Sequence, residues 1–303
     1  MFIIILIITI FINMYSNKMI DKIEQNSDNT INYNSLKTKK CFIHPTAIIE
    51  DGAVIGENVK IGPFCIIGKN VVIGDNCELV SNVVIDGNTK IGKNNKIFPF
   101  AVIGQEPQDL KYKGEKSKII IGDNNKIREH CTIHLGTKDD KMTTKIGSNN
   151  LFMVNTHIAH DCVVGNNCIF ANNATLGGHV KVGNYVVIGG MSAIHQKVRI
   201  GKHAMIGGMS GVEKDVIPYG IVIEERHTSL EGINLVGLKR RNFTKKQIND
   251  LRHFYKELFC VDGANIFELV ENLKEKYADS KVVNDVIKFL TEDSKRHITT
   301  KIK

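Results

Sequence analysis

The stretch NTHIAHDCVVGNNCIFANNATLGGHV, residues 155–180, places a large apolar residue at every sixth position: Ile158, Val164, Phe170 and Leu176. A helix needs apolar spacings of three and four, and a half-buried strand alternates by two, so neither yields six. Read outward, the register holds. Downstream it runs through Val182, Ile188, Ile194, Ile200, Ile206 and Val212, and upstream through Phe152 to Ile146. A shorter run holds Ile121, Ile127 and Ile133, and another reaches from Ile43 to Ile103 without a miss. Small residues such as Ala47, Ala53, Val59, Cys65 and Cys77 stand four places after the aliphatic, and glycine often follows it directly, as at Gly56, Gly62, Gly165 and Gly183.

A fixed short period marks a solenoid. Each hexad supplies a short strand and a corner, and three hexads per turn predict a mainly β fold, a parallel β-helix of triangular section with about eighteen residues per coil. The aliphatic points inward and stacks on its counterpart one coil away, while Gly and Asn serve the corners because both tolerate positive φ. A packed prism has no room for extra chain. The two breaks in the period, Gly104 to Lys118 and Leu135 to Lys145, are therefore expected to loop outward.

The period stops after Val212, and residues 229–242 read as a connector. Helical patterns follow. Thr244 and Gln247 have capping-box spacing ahead of Ile248, Leu251, Phe254, Leu258 and Phe259. Asn265 with Glu268 opens a second helix, and Val282, Val283, Val286, Ile287 and Leu290 mark a third. Three such helices have too little surface for a core of their own, so they are expected to pack on the prism or on another subunit. The division is a segment over 1–40 outside the fold, a β-helix over 41–228 with loops near 104–118 and 135–145, and a connector with a small helical domain over 229–303.

The chain has 303 residues and a formal net charge of +8. Its basic ends suit solubility or, more pointedly, an acidic or phosphorylated partner; nucleic acid is not an expected partner. Met1 to Asn13 is almost wholly apolar, too short to span a bilayer comfortably and without the charged start of a signal peptide. Residues 16–40 are polar and rich in Asn and Lys. A hydrophobic leader before a basic polar segment resembles a bipartite signal for a plastid reached through the secretory route. The alternative is a true start at Met14 or Met19 and a cytoplasmic protein. Five of the seven cysteines, Cys65, Cys77, Cys131, Cys162 and Cys168, fall on the small inward position, where a thiol acts as a small hydrophobe. No Cys-x-x-Cys pair suggests a thiol zinc site or a redox dithiol.

Chemistry concentrates in the opening stretch. His157 and His160 interrupt an aliphatic repeat, Asp161 follows at once, and Gly177-Gly178-His179 arrives one coil later. A carboxylate beside an imidazole fixes its tautomer and raises its basicity, as general-base catalysis requires. With eighteen residues per coil, Asp161 should lie near His179 and His160 near Gly178, whose backbone N–H could serve an oxyanion. A single histidine at such a corner reads equally well as a solvated polar residue; the cluster reads as a catalytic site. A zinc ion on His157, His160 and His179 is the competing reading. The crowding of two of them on one short strand and corner, with Asp161 placed for an imidazole, speaks against it, and no metal or cofactor is expected.

The motifs NTHIAHDC (155–162), ANNATLGGHV (171–180), IGGMSAIHQ (188–196) and GLKRR (237–241), with GQEPQDLKYKGE (104–115) in the first loop, closely resemble the UDP-N-acetylglucosamine O-acyltransferases of lipid A biosynthesis. The resemblance runs from about Phe42 to the last helices. It implies a left-handed β-helix, a homotrimer with sites between subunits, and transfer of a 3-hydroxyacyl group from acyl carrier protein, on its phosphopantetheine arm, to the 3-hydroxyl of UDP-N-acetylglucosamine. It implies His160 as base, Asp161 as its orienting carboxylate and Gly178 N–H facing the thioester oxygen. His157 and His179 would contact the sugar, and Gln108, Asp109 and Lys111 would reach the substrate from a neighbouring subunit. His195 and Gln196 would lie near the nucleotide, Asn234, Arg240 and Arg241 near phosphate groups or the carrier protein, and Gly208 on the floor of the acyl pocket, leaving room for a long chain.

Three positions depart from the family pattern: Lys197 for an aromatic, Asn242 for glycine, and Ile223 to His227 for a glycine-rich turn. Two other classes compete. One is a related hexapeptide enzyme, either an N-acyltransferase, which would carry an extra N-terminal domain, or an acetyl-CoA enzyme, which would not need the first loop. The other is a non-catalytic trimeric scaffold, which would not need the histidine cluster.

Overall fold

The computed structural model describes residues 40–224, 228–259, 265–292 and 294–300. The leader expected over 1–40 lies, except for Lys40, outside the described residues, and so do residues 225–227 of the divergent turn. Among the described residues the strands form three sheets of eleven, nine and eight. Up to the end of the prism, consecutive strands fall on different sheets, and each strand pairs in parallel with the strand three places on, as Ile43 with Ile61 and Ile158 with Leu176. This is the triangular β-helix that the period six predicts. In a typical two-residue strand the first side chain faces out and the second is buried. Ile61, Ile67, Ile97, Phe170 and Leu176 are wholly inaccessible. Burying each such side chain contributes about 1.5–3 kcal/mol, and backbone N–H groups bond the coil above, as from Gly165 to Val182 O at 2.8 Å.

Asparagine and glycine divide the corner work differently from the expectation that both supply positive φ. At most corners one residue is left-handed, and asparagine often fills it, as at Asn58, Asn76, Asn94, Asn155 and Asn173 (φ 54° to 62°). Glycines after the aliphatic such as Gly56, Gly62, Gly165 and Gly183 do not share that conformation. They are there for closeness: a Cβ on Gly62 would lie 1.7 Å from Val80 O, and one on Gly165 would lie 2.8 Å from Asn184 N. Asn242 is also left-handed, with φ 58°, a conformation at a helix end that glycine or asparagine supplies.

The two loops lengthen two successive coils. Val102 pairs with Thr132 and Thr132 with His157, where the regular coils are spaced by eighteen, as from His157 to Thr175. Both leave between the second sheet (which begins with Ile48–Ile49) and the third (which begins with Val54–Ile55). Inside the same coils runs a ladder of buried amides. Asn95 Oδ1 accepts the N–H of Asn125 (2.8 Å), Asn125 Oδ1 accepts that of Asn150 (2.9 Å), and Asn150 Oδ1 accepts that of Cys168 (2.7 Å).

The end of the prism is more elaborate than a connector. Gly220–Glu224 joins the first sheet and turns back in an antiparallel pair with Thr228–Ile233, so the expected boundary at 228/229 falls inside a hairpin. A short helix α1 (Leu235–Arg240) follows, then α2 (Lys245–Phe259), α3 (Ile266–Lys274) and α4 (Lys281–Thr291). The capping box of α2 forms, with Thr244 N–H donating to Gln247 Oε1 (2.8 Å) and Gln247 N–H to Thr244 Oγ1 (3.2 Å). The helices are fastened to the last coils. Tyr219 Oη donates to Asp285 (2.6 Å), Tyr255 Oη donates to Pro218 O, and the buried Arg199–Asp215 pair (2.7 Å) also anchors Thr299 N–H on Asp215 O (2.8 Å). Among the described residues no helix is long and apolar enough to cross a membrane.

Candidate active site

The edge between the second and third sheets stacks both loops, then residues 159–162, then 177–180, then 195–198, coil upon coil. Asp161, His179 and Lys197 take the left-handed corner position on this edge, with φ of 57°, 63° and 67°. A non-glycine residue there is conformationally costly, and here the position carries functional groups. His160 Nδ1 lies 3.0 Å from Asp161 Oδ2. His179 Nδ1 lies 3.9 Å from the same oxygen and 3.4 Å from Asp140 Oδ2. Gly178 sits against the His160 ring, where a Cβ would come within 2.6 Å of Nε2. Among the described residues nothing accepts a hydrogen bond from the Gly178 N–H, while its carbonyl accepts that of Lys197 (2.9 Å).

Burial pushes the Asp161 carboxyl up, but hydrogen bonds from His160 and Thr137 and the nearby His179 outweigh it and hold the group below the ordinary carboxylate value. Asp161 therefore stays ionised and accepts the Nδ1–H of His160, which leaves Nε2 as the basic nitrogen. Nε2 faces a cleft of about 740 Å³ whose walls include Gln108, Asp109, Lys111, His179 and Gln196. Further cations border it at Lys181, Lys197, Arg199 and Lys295.

The first loop differs from the sequence expectation. Gln108, Asp109 and Lys111 were expected to reach a neighbouring subunit's site, yet Asp109 Oδ2 lies 4.0 Å from His160 Nε2 of its own chain. The geometry explains this: the loop leaves the same edge two coils below His160. His157 stands apart from the cluster. It lies on an outward strand position, its Nδ1 is 2.7 Å from Thr132 Oγ1, and its ring packs edge-on against His134. The zinc alternative required His157 together with His160 and His179. Donor atoms of His160, Asp161 and His179 do lie within 4.8 Å of one another, but His160 Nδ1 and His179 Nδ1 already face Asp161 and Asp140.

The remaining expected residues divide over the prism. His195 and Gln196 share the His160 edge, held there by Arg296, whose Nη2 donates to His195 Nδ1 (2.5 Å) and whose Nε donates to Gln196 O (3.1 Å). Gly208 lies on the edge between the first and second sheets, stacked on Gly190. Asn234 is buried and caps α1, its Oδ1 accepting from Gly237 N–H (3.0 Å) and its Nδ2 donating to His203 O (2.9 Å). Arg241 lies over the Tyr185 ring and donates to Tyr185 O (3.0 Å), on the third-to-first edge; Arg240 beside it is exposed. Two threonines of the His160 edge escape a sequence reading. Thr137 donates to Asp161, and Thr144 Oγ1 accepts the Asp161 N–H (2.9 Å). Thr137 belongs to the second loop and Thr144 to the strand Thr143–Ile146 that ends it, both inside the break where no period marks them.

Comparison with known proteins agrees with this architecture. Residues 215–299 match the family described as Udp N-acetylglucosamine O-acyltransferase, domain 2, and residues 39–69, 52–87 and 143–178 match the bacterial transferase hexapeptide (six repeats). The chain is 53% identical over 254 residues to the acyl-[acyl-carrier-protein]–UDP-N-acetylglucosamine O-acyltransferase of Rickettsia canadensis (strain McKiel), covering 84% of this chain and 96% of that one. Among solved structures, LpxA from Acinetobacter baumannii superposes with a TM-score of 0.79 at 45% identity, covering 85% of this chain and 99% of that one. The Francisella novicida UDP-N-acetylglucosamine acyltransferase superposes with a TM-score of 0.83 at 42% identity, covering 86% and 94%. The coil is left-handed, and the protein is an acyltransferase of the hexapeptide-repeat class. Within that class, the chain belongs to the acyl-[acyl-carrier-protein]–UDP-N-acetylglucosamine O-acyltransferase family.

Proposed function

We propose that the chain transfers a 3-hydroxyacyl group from acyl carrier protein to the 3-hydroxyl of UDP-N-acetylglucosamine, the first step of lipid A biosynthesis, with His160 as the base. The observation that carries this reading is the His160–Asp161 pair at 3.0 Å with Gly178 against the same imidazole. Asp161 holds the proton on Nδ1. Nε2 takes the proton of the sugar hydroxyl as its oxygen attacks the thioester carbonyl. The tetrahedral oxyanion faces the Gly178 N–H, and a preorganised backbone donor contributes several kcal/mol of transition-state stabilisation, on the order of 3. The attack makes the new C–O bond; collapse of the tetrahedral intermediate re-forms the carbonyl and breaks the C–S bond. The thiolate leaves and takes the proton from His160, so the base is restored with no covalent intermediate and no metal.

Asp109 and Gln108 are suited to the sugar, and the basic border of the cleft suits the phosphates of both substrates and the acidic surface of the carrier protein. Arg240 and Arg241 lie on a different edge from His160, so in one chain they cannot serve that base. A threefold assembly, in which an edge of one copy meets another edge of the next, would bring the two groups to one site; this supports a homotrimer.

The test is an acyl-transfer assay of protein beginning near Lys40, with UDP-N-acetylglucosamine, a panel of 3-hydroxyacyl carrier proteins and His160→Ala beside it. His160-dependent transfer is expected. A folded protein that transfers nothing from any donor would return the reading to a related transferase or a scaffold.

A further inference from the structure

Asp161 is held by more than the histidine it orients. Thr137, twenty-four residues earlier in the second loop, donates its backbone N–H to Oδ1 (3.0 Å) and Oδ2 (2.9 Å) and its hydroxyl to Oδ2 (2.6 Å). That Oδ2 is the oxygen paired with His160 Nδ1 at 3.0 Å. Both residues are 3% exposed, so little water competes for these bonds. The loop is fitted closely around them: a Cβ on Gly136 would lie 2.2 Å from Thr143 N and 2.8 Å from Asp161 Oδ1. The Asp161 backbone is pinned as well, through its N–H on Thr144 Oγ1.

We infer that Thr137 is a positioning residue for acyl transfer, fixing the Asp161 carboxylate so that Oδ2 holds the His160 Nδ1–H and Nε2 stays aimed into the cleft. This rests on the reading of His160 as base. A carboxylate with one well-placed imidazole donor can still turn about its own bond and carry the ring with it. The Thr137 backbone donates to both oxygens and so fixes the plane. The hydroxyl adds a short charge-assisted bond on the oxygen that faces the base. A hydrogen bond to a charged group contributes about 1.5–3 kcal/mol, or roughly 10- to 100-fold in rate when it acts on the chemical step alone.

A plain loop anchor would behave differently. The same loop carries Asp139 and Asp140 to the cleft wall, so loosening it would act on substrate binding. The experiment measures kcat and KM for UDP-N-acetylglucosamine with a 3-hydroxyacyl carrier protein, using the full described fold. It compares wild type, Thr137→Val, Thr137→Ser, Asp161→Asn and the Thr137→Val/Asp161→Asn double variant. Valine keeps the shape and removes the hydroxyl; serine keeps the hydroxyl. The expected result is a kcat about 10- to 100-fold lower for valine at a KM within about twofold, recovery by serine, and no further loss from valine once Asp161 is Asn. Should the valine variant not fold, the serine and alanine variants make the same comparison. An unchanged kcat, a loss in KM alone, or the same loss in the Asp161→Asn background would overturn the inference. Wild-type transfer that survives His160→Ala would instead remove the base on which it rests, an outcome the variants at 137 do not produce.

Discussion

Gly178 lies directly over the imidazole of His160, so close that a Cβ would sit 2.5 Å from Cε1 and 2.6 Å from Nε2. The ring cannot retreat freely, because Nδ1 is tied to Asp161 and the His160 carbonyl accepts the N–H of His179 (2.9 Å). Gly178→Ala therefore has to push the ring off its carboxylate. Transfer should fall by about 10²-fold or more, the scale of lost general-base catalysis. The backbone φ at 178 is compatible with alanine, so the thermal midpoint should change little. A fully active Gly178→Ala enzyme would mean that the ring is not held as described.

The split of the site over two edges gives a prediction about assembly. His160→Ala and Arg240→Ala proteins should each be impaired alone. Co-expressed, they should regain part of the activity, because some mixed assemblies pair an intact His160 edge with an intact Arg240. Two tagged variants purified together by sequential affinity steps provide the measurement. No regain in verified mixed assemblies would show that each chain builds its site unaided.

Gly208 bears on the donor chain. A side chain there meets Gly190 O at 3.3 Å and Gly190 N at 3.8 Å, and nothing else within 4 Å. Gly208→Met should therefore fold and project into the space where a long acyl chain would lie. The preferred donor should shorten, read as the ratio of kcat/KM across 3-hydroxyacyl carrier proteins. An unshifted ratio would move the acyl pocket elsewhere.

Acid should destabilise the fold before it protonates most carboxylates. Burial, with neighbouring histidines or cations, pushes His134 and His203 down to about 4, below the ordinary histidine value. The unfolded chain takes up these protons first, so stability is complete above about pH 6.5 and declines as pH falls toward 4, by on the order of 3 kcal/mol per group. Asp161 adds to the loss at lower pH, because its folded value is depressed and its contribution disappears as pH falls through that value. Urea midpoints between pH 7 and pH 4.5 provide the check. His203→Phe should flatten the slope, since the His203 ring stacks between Tyr185 and Tyr219 and its Nδ1 has no bonding partner. An unchanged slope in that variant would remove His203 from the account.

The prism was legible because its demand is local and repeated: one buried aliphatic per hexad, coil after coil. The His160–Asp161–Gly178–His179 cluster was legible because a fixed coil length turns sequence separation into stacking. What escaped is what breaks the period. Thr137 sits in a loop whose path no repeat dictates, and Thr144 in the strand that closes it, before the hexad period resumes at Ile146. The hairpin over 220–233 has no alternation clear enough to separate it from a connector. The glycines after the aliphatics were expected to supply positive φ, whereas the adjoining coil simply leaves no space for a Cβ. The resemblance places Asn234 and Arg241 near phosphate groups or the carrier protein, and only the fold shows that the first also caps α1 and the second lies on Tyr185.

The buried amides Asn95, Asn125 and Asn150 run through the two coils that the loops lengthen, where eighteen-residue counting fails. Were the chain to wind one hexad out of step there, the amides would lose one another as partners, and each orphaned polar group would cost about 1–3 kcal/mol. An all-aliphatic interior would carry far less penalty for such a slip, since one isoleucine stacks as well as the next. The slip would also turn residues 159–162 to a different edge from the loop that holds Asp109 and Thr137. The three asparagines thus act as a winding check, and what they protect is less the strength of the prism than the alignment of a base with its partners.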